Sequence, residues 1–441
     1  MPSFLTGKGL CGYSLDESRC PMVKCRHLSF LALAVLLSQL GCASFQPGTV
    51  EEVGFLERAE TQVRDDLRIT VAVPSQEETR ELFDSKLYKK KIQPVWVEIE
   101  NKSSEPVLLF PYSVDPDYFP PLEVAYLSHR TWAKKTNWRI DRFFYEQSFP
   151  QFVPPGETES GFVFVNLDQG TKYVPVNILL EKHIENLEFF LPIPGFRADY
   201  ATVDFASLWE EAQKSDLETE EAVREWFESL PCCATNKKGT RTGDPVNFAM
   251  VTSDLAFKQG AMRVGWDQTA AKTFGSSLKT MGAALVGSRY RNAPFSPLYF
   301  FGRPQDLGLQ KSRSNIHQRN HLRLWVAPVN LRGNPIWVGQ ISRDIGSKLT
   351  TKSPTLTTHK IDPDVDDARD TLVLEMISAK ALAAAGYAKG VGVKSMDSPG
   401  RNLTDDPFIT DGLRVVMFLS EEPTEYQEMR YLEWEEPGQD F

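Results

Sequence analysis

The sequence contains no long apolar run and no excess of positive charge. Its 441 residues carry 49 Lys and Arg against 59 Asp and Glu, which gives a formal net charge of −10. A general nucleic-acid binder is excluded, because binding to phosphates requires a cationic surface. No apolar run approaches the roughly 18 residues that a helix needs to cross a bilayer. The 41% hydrophobic content indicates a folded chain of two or three domains.

Cysteine is also scarce. The chain has six cysteines, and four of them lie within the first 42 residues, so a disulfide-rich scaffold is excluded. The other two, Cys232 and Cys233, are adjacent, and neighbouring Cα atoms lie about 3.8 Å apart, which is closer than the usual disulfide range. We interpret this pair as two packed thiols after Pro231, with metal ligation or redox sensing as the alternatives.

Residues 1–41 are predicted to be a leader that is removed before Cys42. A cationic segment at 22–27 precedes an apolar stretch at 28–37, which is the pattern of a secretory signal, and Met22 is its expected start. The Leu-Gly-Cys ending at Cys42 resembles a bacterial lipobox, in which the cysteine becomes a lipidated N-terminus that carries palmitate. An ordinary signal peptide or a buried helix is the alternative.

The lipobox resemblance implies a location in the cell envelope. Ala43, which follows the cysteine, favours attachment to the outer membrane on its periplasmic side. The leader carries four basic and two acidic residues, so cleavage leaves a body with a formal net charge of −12. Such a body is not attracted to anionic lipid as a whole, so we expect the acyl chains to supply the anchoring.

Residues 60–200 are predicted to form an all-β antiparallel sandwich. Apolar residues alternate with polar or small ones along several short segments, which is the period of a half-buried strand. Turn residues separate the segments, and no helical stripe lies between them. The segments are Leu67–Val73, Val95–Ile99, Val107–Phe110, Phe162–Val165, Val174–Leu180 and Leu187–Leu191.

A bridging helix at 207–230 is predicted to connect this sandwich to a second domain at 231–420. Strands clustered between helical segments indicate an α+β domain with a mainly antiparallel sheet flanked by helices. Helices are expected at about 276–288 and from about Asp366 to Ala385. Residues 421–441 carry a net charge of −7 and are predicted to be a solvated acidic tail.

The second domain segregates its charges along the sequence. Residues 303–348 contain eight Lys and Arg against two Asp, and residues 362–370 contain five Asp with one Arg. On a strand through 321–325, His321 and Arg323 share the face opposite Leu322 and Leu324. Asp366, Arg369 and Asp370 lie within one turn of the following helix. We expect these groups to meet in space around the histidines.

These residues allow two kinds of site. Guanidinium groups suit an anionic or phosphorylated ligand, and imidazole beside carboxylates suits a divalent metal or an acid–base pair. The alternative is a structural ion network, since aspartates crowd helix starts and arginines on a sheet often pair with them. The candidates are Arg323, Arg343, Arg369 and Asp344 for the ligand, His321, His359 and Asp362 for a metal, and Asp366 or Asp370 for activating water.

Several ordered segments of the second domain resemble the LssY-type C-terminal domain of bacterial envelope proteins. The resemblance covers about residues 230–420. It depends on Leu230-Pro-Cys-Cys, Gly243-Asp-Pro-Val-Asn, Ser296-Pro-Leu-Tyr-Phe-Phe-Gly-Arg-Pro-Gln-Asp306, Gln318-Arg-Asn-His-Leu-Arg-Leu-Trp325, Ile336-Trp-Val-Gly339, Ser342-Arg-Asp344, Thr358-His-Lys-Ile-Asp-Pro-Asp364 and Ala368-Arg-Asp370.

The resemblance implies a domain without an assigned biochemical role. Relatives often attach it to membrane-embedded segments similar to DedA proteins and lipid phosphatases, which implies a role in phospholipid or envelope maintenance. This chain has no membrane span, so a lipid anchor and a β-domain would replace those segments. The first hypothesis is therefore an anchored ligand-binding or assembly protein, and the alternative is a metal-assisted hydrolase of a phosphorylated envelope substrate.

Overall fold

The computed structural model describes residues 45–196, 198–269, 296–312, 319–349 and 357–438. Within these ranges the chain is mostly β, and its sheets are mainly antiparallel. The predicted leader, Cys42 and the helix predicted at 276–288 lie outside the described residues. No helix among those described is long and apolar enough to span a bilayer. The predicted domain boundaries stay predictions.

The first part of the chain has eight described strands and four described α-helices. The strands are β1 (Glu60–Arg64), β2 (Leu67–Ala72), β3 (Ile92–Asn101), β4 (Val107–Leu109), β5 (Phe152–Val153), β6 (Thr158–Asn166), β7 (Thr171–Leu180) and β8 (His183–Pro192). The helices are α1 (Gln76–Phe83), α2 (Pro111–Val114), α3 (Pro121–Leu127) and α4 (Lys134–Glu146).

Two four-stranded antiparallel sheets contain these strands, in the orders β1-β2-β3-β6 and β5-β4-β7-β8. Residues of both sheets contribute to one buried apolar cluster. The alternation along β6 assigns its side chains to two cores, because Val163 and Val165 lie in this cluster while Phe162 and Phe164 face the other side of the sheet. The six predicted strand segments are therefore found in β2, β3, β4, β6, β7 and β8.

The expectation of an all-β part is wrong, because helices cover the outer face of the first sheet. An aromatic cluster fills this second core and joins Phe83 of α1 and Phe144 of α4 to Phe162 and Phe164. Trp96, which the alternation would expose, is buried in the same cluster. Helix α4 could have been predicted from the helical spacing of Ile140 and Phe144, which are both buried.

The second part of the chain has sixteen described strands and three described α-helices. The strands are β9 (Ser215–Leu217), β10 (Cys233–Thr235), β11 (Thr242–Pro245), β12 (Phe248–Val251), β13 (Asp267–Gln268), β14 (Tyr299–Phe300), β15 (Arg303–Pro304), β16 (Leu307–Ser312), β17 (Arg319–Leu331), β18 (Asn334–Leu349), β19 (Thr357–Ile361), β20 (Leu382–Lys389), β21 (Gly400–Arg401), β22 (Pro407–Phe408), β23 (Leu413–Leu419) and β24 (Arg430–Tyr431). The helices are α5 (Glu220–Ser229), α6 (Asp254–Arg263) and α7 (Val365–Ser378).

A large sheet with the order β13-β16-β17-β18-β12-β23-β20-β24 organises this part, with β19 beside β18 and β9 beside β17. Its neighbours are antiparallel except β12/β23, β20/β24 and β17/β9. One face packs on α6 and α7, and the other packs on α5 and the small sheet β11-β10-β14-β15. The sheet therefore has buried side chains on both faces.

The helix expected to continue to Ala385 ends at Ser378, and β20 follows it. The alanine-rich sequence favours a helix, but its small side chains fit a strand between β23 and β24. A Cβ added at Gly386 would lie 2.6 Å from the Trp434 ring, so the tail packs directly on this strand. Tertiary packing therefore overrides the local helix propensity here.

The acidic tail is largely exposed, as expected, but over its described length it docks on the sheet instead of extending away from it. Strand β24 pairs in parallel with β20, and Trp434 packs on the apolar cluster behind it. Glu435 forms ion pairs with Arg224 of α5 at 2.8 Å and with Lys389 at 3.1 Å. The tail carboxylates thus find cations on the sheet and on α5, which a count of net charge does not reveal.

The helix within the predicted bridge occupies only Glu220–Ser229, after short 3₁₀ turns and strand β9. Fully buried Arg414 fixes its C-terminal end, because the guanidinium donates to the carbonyls of Phe227, Leu230 and Pro231 at 2.8–3.2 Å. Just beyond, Cys232 and Cys233 are joined by a disulfide rather than packed as free thiols.

Candidate functional site

Strands β17 and β18 form a long antiparallel pair in the centre of the large sheet, and their alternation builds the candidate site. Leu322 and Leu324 point into the apolar cluster beneath α6 and α7. Because side chains alternate along a strand, Arg319, His321 and Arg323 lie on the opposite face. All three are buried, with 1–7% of each residue exposed.

Polar residues of the neighbouring strands complete this group. His321 pairs with Ser342 of β18 and with Gln310 of β16, and Arg323 pairs with Gln340. We call the set on this face the sheet cluster, and it consists of Gln310, Arg319, His321, Arg323, Gln340, Ser342 and Asp344.

Short contacts join the members of the sheet cluster. Arg319 Nη1 donates to Gln310 Oε1 at 2.6 Å, and Arg323 Nη1 donates to Gln340 Oε1 at 2.7 Å. Asp344 Oδ2 lies 3.3 Å from His321 Nε2 and 3.8 Å from Arg319 Nε. The cluster thus holds two arginines, a histidine and a carboxylate away from water.

Asp244 of β11 adds a second buried carboxylate beside Arg323. Burial raises the pKa of Asp244, although Asn402 and the charge of Arg323 oppose this shift. Asn402 Nδ2 donates to Asp244 Oδ1 at 3.0 Å, and the Asn402 side chain also caps the loop to Asp406. The cluster is therefore connected to a second, polar loop of the domain.

Burial dominates the electrostatics of the sheet cluster. It raises the pKa of Asp344 to about 8 despite the attraction of Arg319 and Arg323. It lowers the pKa of Arg319, and it lowers that of Arg323 to about 10, so both guanidinium groups stay charged at neutral pH. The cluster therefore favours positive charge over negative charge at pH 7.

Two buried polar atoms of the cluster lack a hydrogen-bond partner among the described residues. They are Ser342 Oγ and Gln340 Nε2, and both belong to strand β18. A buried hydroxyl or amide without a partner costs free energy, so such atoms are rare in folded proteins. Their position beside Arg323 indicates a place where a polar ligand or an ordered water would be bound.

Another buried arginine, Arg369 of α7, lies in a separate group. Its guanidinium donates to Asp370, Asp411 and the Leu413 carbonyl through five hydrogen bonds of 2.8–3.1 Å. Asp366 lies 3.2 Å away, and Thr410 Oγ1 donates to it at 2.8 Å. We call Asp366, Arg369, Asp370, Thr410 and Asp411 the helix cluster.

The helix cluster satisfies its own hydrogen bonds. The five N–H groups of Arg369 match the five bonds above, so none remains for a ligand. Burial alone would lower the pKa of Arg369, but the bonds to Asp411 and Asp370 raise it. Burial raises the pKa of Asp366 to about 6 against the charge of Arg369. This arrangement is a structural ion network, which was the alternative interpretation for this segment.

Arg343 and Asp344 are adjacent, but they lie on opposite faces of β18. Arg343 forms an ion pair with Asp367 and donates to Thr371 Oγ1 of α7 at 3.0 Å. The Asp362 amide donates to the Arg343 carbonyl at 2.8 Å, and Asp362 Oδ1 accepts from the Asp364 amide at 3.2 Å. The structure therefore brings His321, Arg323 and Asp344 together and places Arg343, Arg369, Asp366 and Asp370 elsewhere.

The proposed metal ligands are separated along β18. His321 pairs with Ser342, whereas His359 of β19 pairs with Ser347. Five residues at ~3.3 Å each put these backbone positions about 16 Å apart along the strand. Within the described ranges, no group of three or more His, Cys, Asp or Glu is placed to hold a metal ion.

One comparison identifies the part of the chain that carries both clusters. Residues 225–413 match the family model of the LssY C-terminus. The resemblance expected over about 230–420 is thereby confirmed. No match was found among curated proteins or among solved structures.

Inside the matched region 225–413, three of the segments that carry the resemblance converge on one place. Asp244 lies in Gly243-Asp-Pro-Val-Asn, and Asp344 lies in Ser342-Arg-Asp344. His321 and Arg323 lie in the segment from Gln318 to Trp325. The charge of Arg323 acts on both Asp244 and Asp344. Residues far apart in sequence thus supply a single buried polar centre.

The sequence pattern missed several members of this centre. Arg319 could have been found, because the alternation of His321 and Arg323 extends two residues back to it. Gln340 and Ser342 could have been found from the register of β18, but a sequence does not give the register. Asp244 gave no signal beyond the resemblance, since its partners come from β17 and from residues 402–406.

Proposed function

We propose that the protein is a lipid-anchored component of the bacterial cell envelope, attached through Cys42 on the periplasmic side of the outer membrane. In this proposal a β-sandwich presents the LssY C-terminal domain, which binds an anionic ligand in the sheet cluster. A phosphorylated envelope molecule is the ligand class that suits the cluster, because guanidinium groups bind phosphate oxygens through paired N–H groups.

The convergence of Asp244, His321, Arg323 and Asp344 carries this proposal. A structural network would be expected to satisfy its own polar atoms, as the helix cluster does. The sheet cluster instead includes Ser342 Oγ and Gln340 Nε2, which have no partner in the described ranges. A phosphate at this position would accept from both atoms, and its enclosure would strengthen each charge–charge contact.

Calorimetric titration of the purified protein with inorganic phosphate, in phosphate-free buffer, tests the ligand class. We expect binding, and we expect Ser342→Ala to weaken it about tenfold or more because one hydrogen bond to a charged ligand is lost. Arg323→Lys keeps the positive charge but removes the paired N–H groups of the guanidinium, so it should also weaken phosphate binding. A repeat with glycerol phosphate distinguishes a lipid headgroup from free phosphate.

Arg343→Gln is the matched control, because Arg343 lies on the same strand but on the opposite face. It should leave phosphate affinity unchanged. A folded wild-type protein that binds neither phosphate nor glycerol phosphate would exclude the proposed ligand class. Equal losses in Ser342→Ala and Arg343→Gln would exclude the sheet cluster as the site.

The anchor is tested separately by labelling cells that express the full chain with palmitate. We expect the label to appear in the wild type and to disappear in Cys42→Ser. Cys25→Ser is the control, since residue 25 would leave with the leader. Label that persists in Cys42→Ser overturns the anchor without affecting the ligand test.

The metal-assisted hydrolase receives less support from the geometry. His321 and His359 occupy positions five residues apart along β18, and Asp362 lies beyond the point where β19 ends. Metal analysis of protein purified without chelator decides between the two functions. A stoichiometric ion that is lost in His321→Ala would favour the hydrolase.

A further inference from the structure

The exposed apolar side chains of the protein concentrate in one short region. Of the seventeen large apolar residues exposed in the described ranges, eight fall within residues 112–152. Trp132 is 98% exposed and Trp138 is 73% exposed, and these are the two tryptophans in that set. Large exposed apolar groups of this kind mark an interaction surface when they are contiguous.

Helices α3 and α4 pack against each other and bring these residues together. Lys135, Trp138, Arg142 and Tyr145 follow the helical spacing along the outer face of α4 and are all exposed, whereas Ile140 and Phe144 are buried on its inner face. We call the exposed surface of this helix pair and its loop the α3–α4 tip. It consists of Leu122, Tyr126, Leu127, Trp132, Lys134, Lys135, Trp138, Arg142 and Tyr145.

The loop that carries Trp132 is held in place by polar contacts. His129 Nε2 lies 2.7 Å from Asp141 Oδ1 of α4. Asn137 accepts from the Arg130 amide at 2.8 Å and donates to the Arg130 carbonyl at 3.0 Å. Arg130 is tied to Asp84 at 2.7 Å. These contacts hold the loop in one conformation, and Trp132 on this loop stays exposed to solvent.

The tip is cationic in a protein that is acidic overall. Residues 122–146 contain five Lys and Arg against three Asp and Glu, while the chain carries a net charge of −10. Neither Lys134 nor Lys135 forms an ion pair with any described residue, and both are exposed. Trp and Tyr beside Lys and Arg are typical of the interface between bilayer and water.

The described chain begins directly on this helix pair. The ring of Phe45 contacts that of Phe143 at 5.3 Å, and its carbonyl accepts from Arg139 Nη2 of α4 at 3.2 Å. Cys42 precedes Phe45 by three residues, which span at most about 10 Å. Acyl chains on Cys42 would therefore enter the membrane close to α4.

We infer that the α3–α4 tip lies on an anionic phospholipid surface, with Trp132 and Trp138 at the depth of the headgroups. This contact deepens the proposed membrane attachment, since the acyl chains on Cys42 would hold the protein at the membrane and the tip would orient it. The aromatic groups supply apolar contact, and Lys134 and Lys135 supply attraction to anionic headgroups. The acidic body thereby docks through this cationic helix pair rather than through its overall charge.

The test uses the chain from residue 42 with Cys42→Ser, so that no acyl chain is present. Flotation with vesicles of phosphatidylglycerol and phosphatidylethanolamine measures binding, and phosphatidylcholine vesicles give the uncharged reference. We expect binding to the anionic vesicles that weakens with salt. Trp132→Ser with Trp138→Ser should lower the partition at least tenfold, and Lys134→Gln with Lys135→Gln should lower it several-fold.

Met396→Ser with Tyr426→Ser is the matched control, because both residues are exposed apolar groups outside the tip. It should leave vesicle binding unchanged, and circular dichroism should show every variant folded.

Equal losses in the control, or no binding of the folded Cys42→Ser chain to anionic vesicles, would overturn the inference. So would a self-association that the tryptophan variant abolishes, since it would assign the tip to a second copy of the chain. Palmitate labelling of Cys42 does not depend on these outcomes, so the proposed anchor and the inferred role of the tip can be excluded independently.

Discussion

The sheet cluster and the helix cluster are two centres built around buried arginines in the matched region 225–413, and they differ in their hydrogen bonds. Arg369 of the helix cluster gives all five of its N–H groups to Asp370, Asp411 and the Leu413 carbonyl. The sheet cluster contains two arginines and a histidine, together with Ser342 Oγ and Gln340 Nε2 that lack partners among the described residues. Arg319, Arg323 and Arg369 are all buried, so burial of the arginines alone does not separate the two centres.

A buried charged group is therefore a candidate binding site only when polar atoms around it lack hydrogen-bond partners. A centre that satisfies every donor and acceptor stabilises the fold and has nothing left for a ligand. A centre with orphaned polar atoms carries a cost that a ligand could remove.

Arg369→Leu should destabilise the protein most. It leaves the carboxylates of Asp366, Asp370 and Asp411 without their shared cation, and breaking such a buried network costs about 3–5 kcal/mol. Urea unfolding measures the loss. Arg343→Gln, which faces α7 from β18 and is partly exposed, should cost about 1 kcal/mol or less. Similar losses in the two variants would contradict the special role of the helix cluster.

Asp344→Asn should change how stability depends on pH. Because burial raises the pKa of Asp344 to about 8, the unfolded chain releases this proton from about pH 4 upward while the folded chain keeps it. The free energy of unfolding therefore falls as the pH rises from about 4 to 8. The Asn variant should lack that slope in urea titrations at pH 5, 6.5 and 8.

Asp366→Asn provides the comparison from the helix cluster. Burial raises the pKa of Asp366 to about 6, so its contribution should fall only between about pH 4 and 6. The two variants should thus differ from the wild type in different pH windows. An unchanged slope between pH 6.5 and 8 in Asp344→Asn would show that Asp344 is ionised at neutral pH.

Ser342→Ala and Thr410→Val should have opposite effects on stability, although each removes one buried hydroxyl. Thr410 donates to Asp366 at 2.8 Å and accepts from the Gly412 amide at 3.0 Å, so its loss should cost about 1–3 kcal/mol. Ser342 Oγ has no described partner, so its removal should cost nothing or stabilise the ligand-free protein slightly. Thermal unfolding of both variants measures the sign. A cost for Ser342→Ala as large as that for Thr410→Val would make the sheet cluster structural as well.

Much of the fold followed from local patterns. The period of two located β2, β3, β7 and β8, because one face of each strand is apolar and buried. The same pattern placed His321 and Arg323 on one face of β17, opposite Leu322 and Leu324. The helix expected from about Asp366 begins one residue earlier, at Val365, where the Asp364 side chain accepts from the Asp366 and Asp367 amides.

Other elements depended on contacts that a local pattern does not contain. The alternation along β3 places Trp96 on the face opposite Val95 and Val97, and helices α1 and α4 cover that face. The segment 382–385 was expected in a helix, but β23 and β24 enclose it as a strand. Asp366 was a candidate for activating water, but its oxygens accept from Thr410 and the Asp411 amide, which lie more than forty residues away.

The sequence by itself located several of the longer strands and one apolar face of each, and it showed that residues 230–420 resemble one family, because these properties depend on spacing and residue type. Only the tertiary structure decided which charges meet. Strand register places Asp344 beside His321 and Arg319, and the alternation of β18 sends its neighbour Arg343 to α7. Register and packing are long-range properties, so a charge pattern along the chain groups neighbours such as Asp366, Arg369 and Asp370 but cannot supply the partners that come from distant segments.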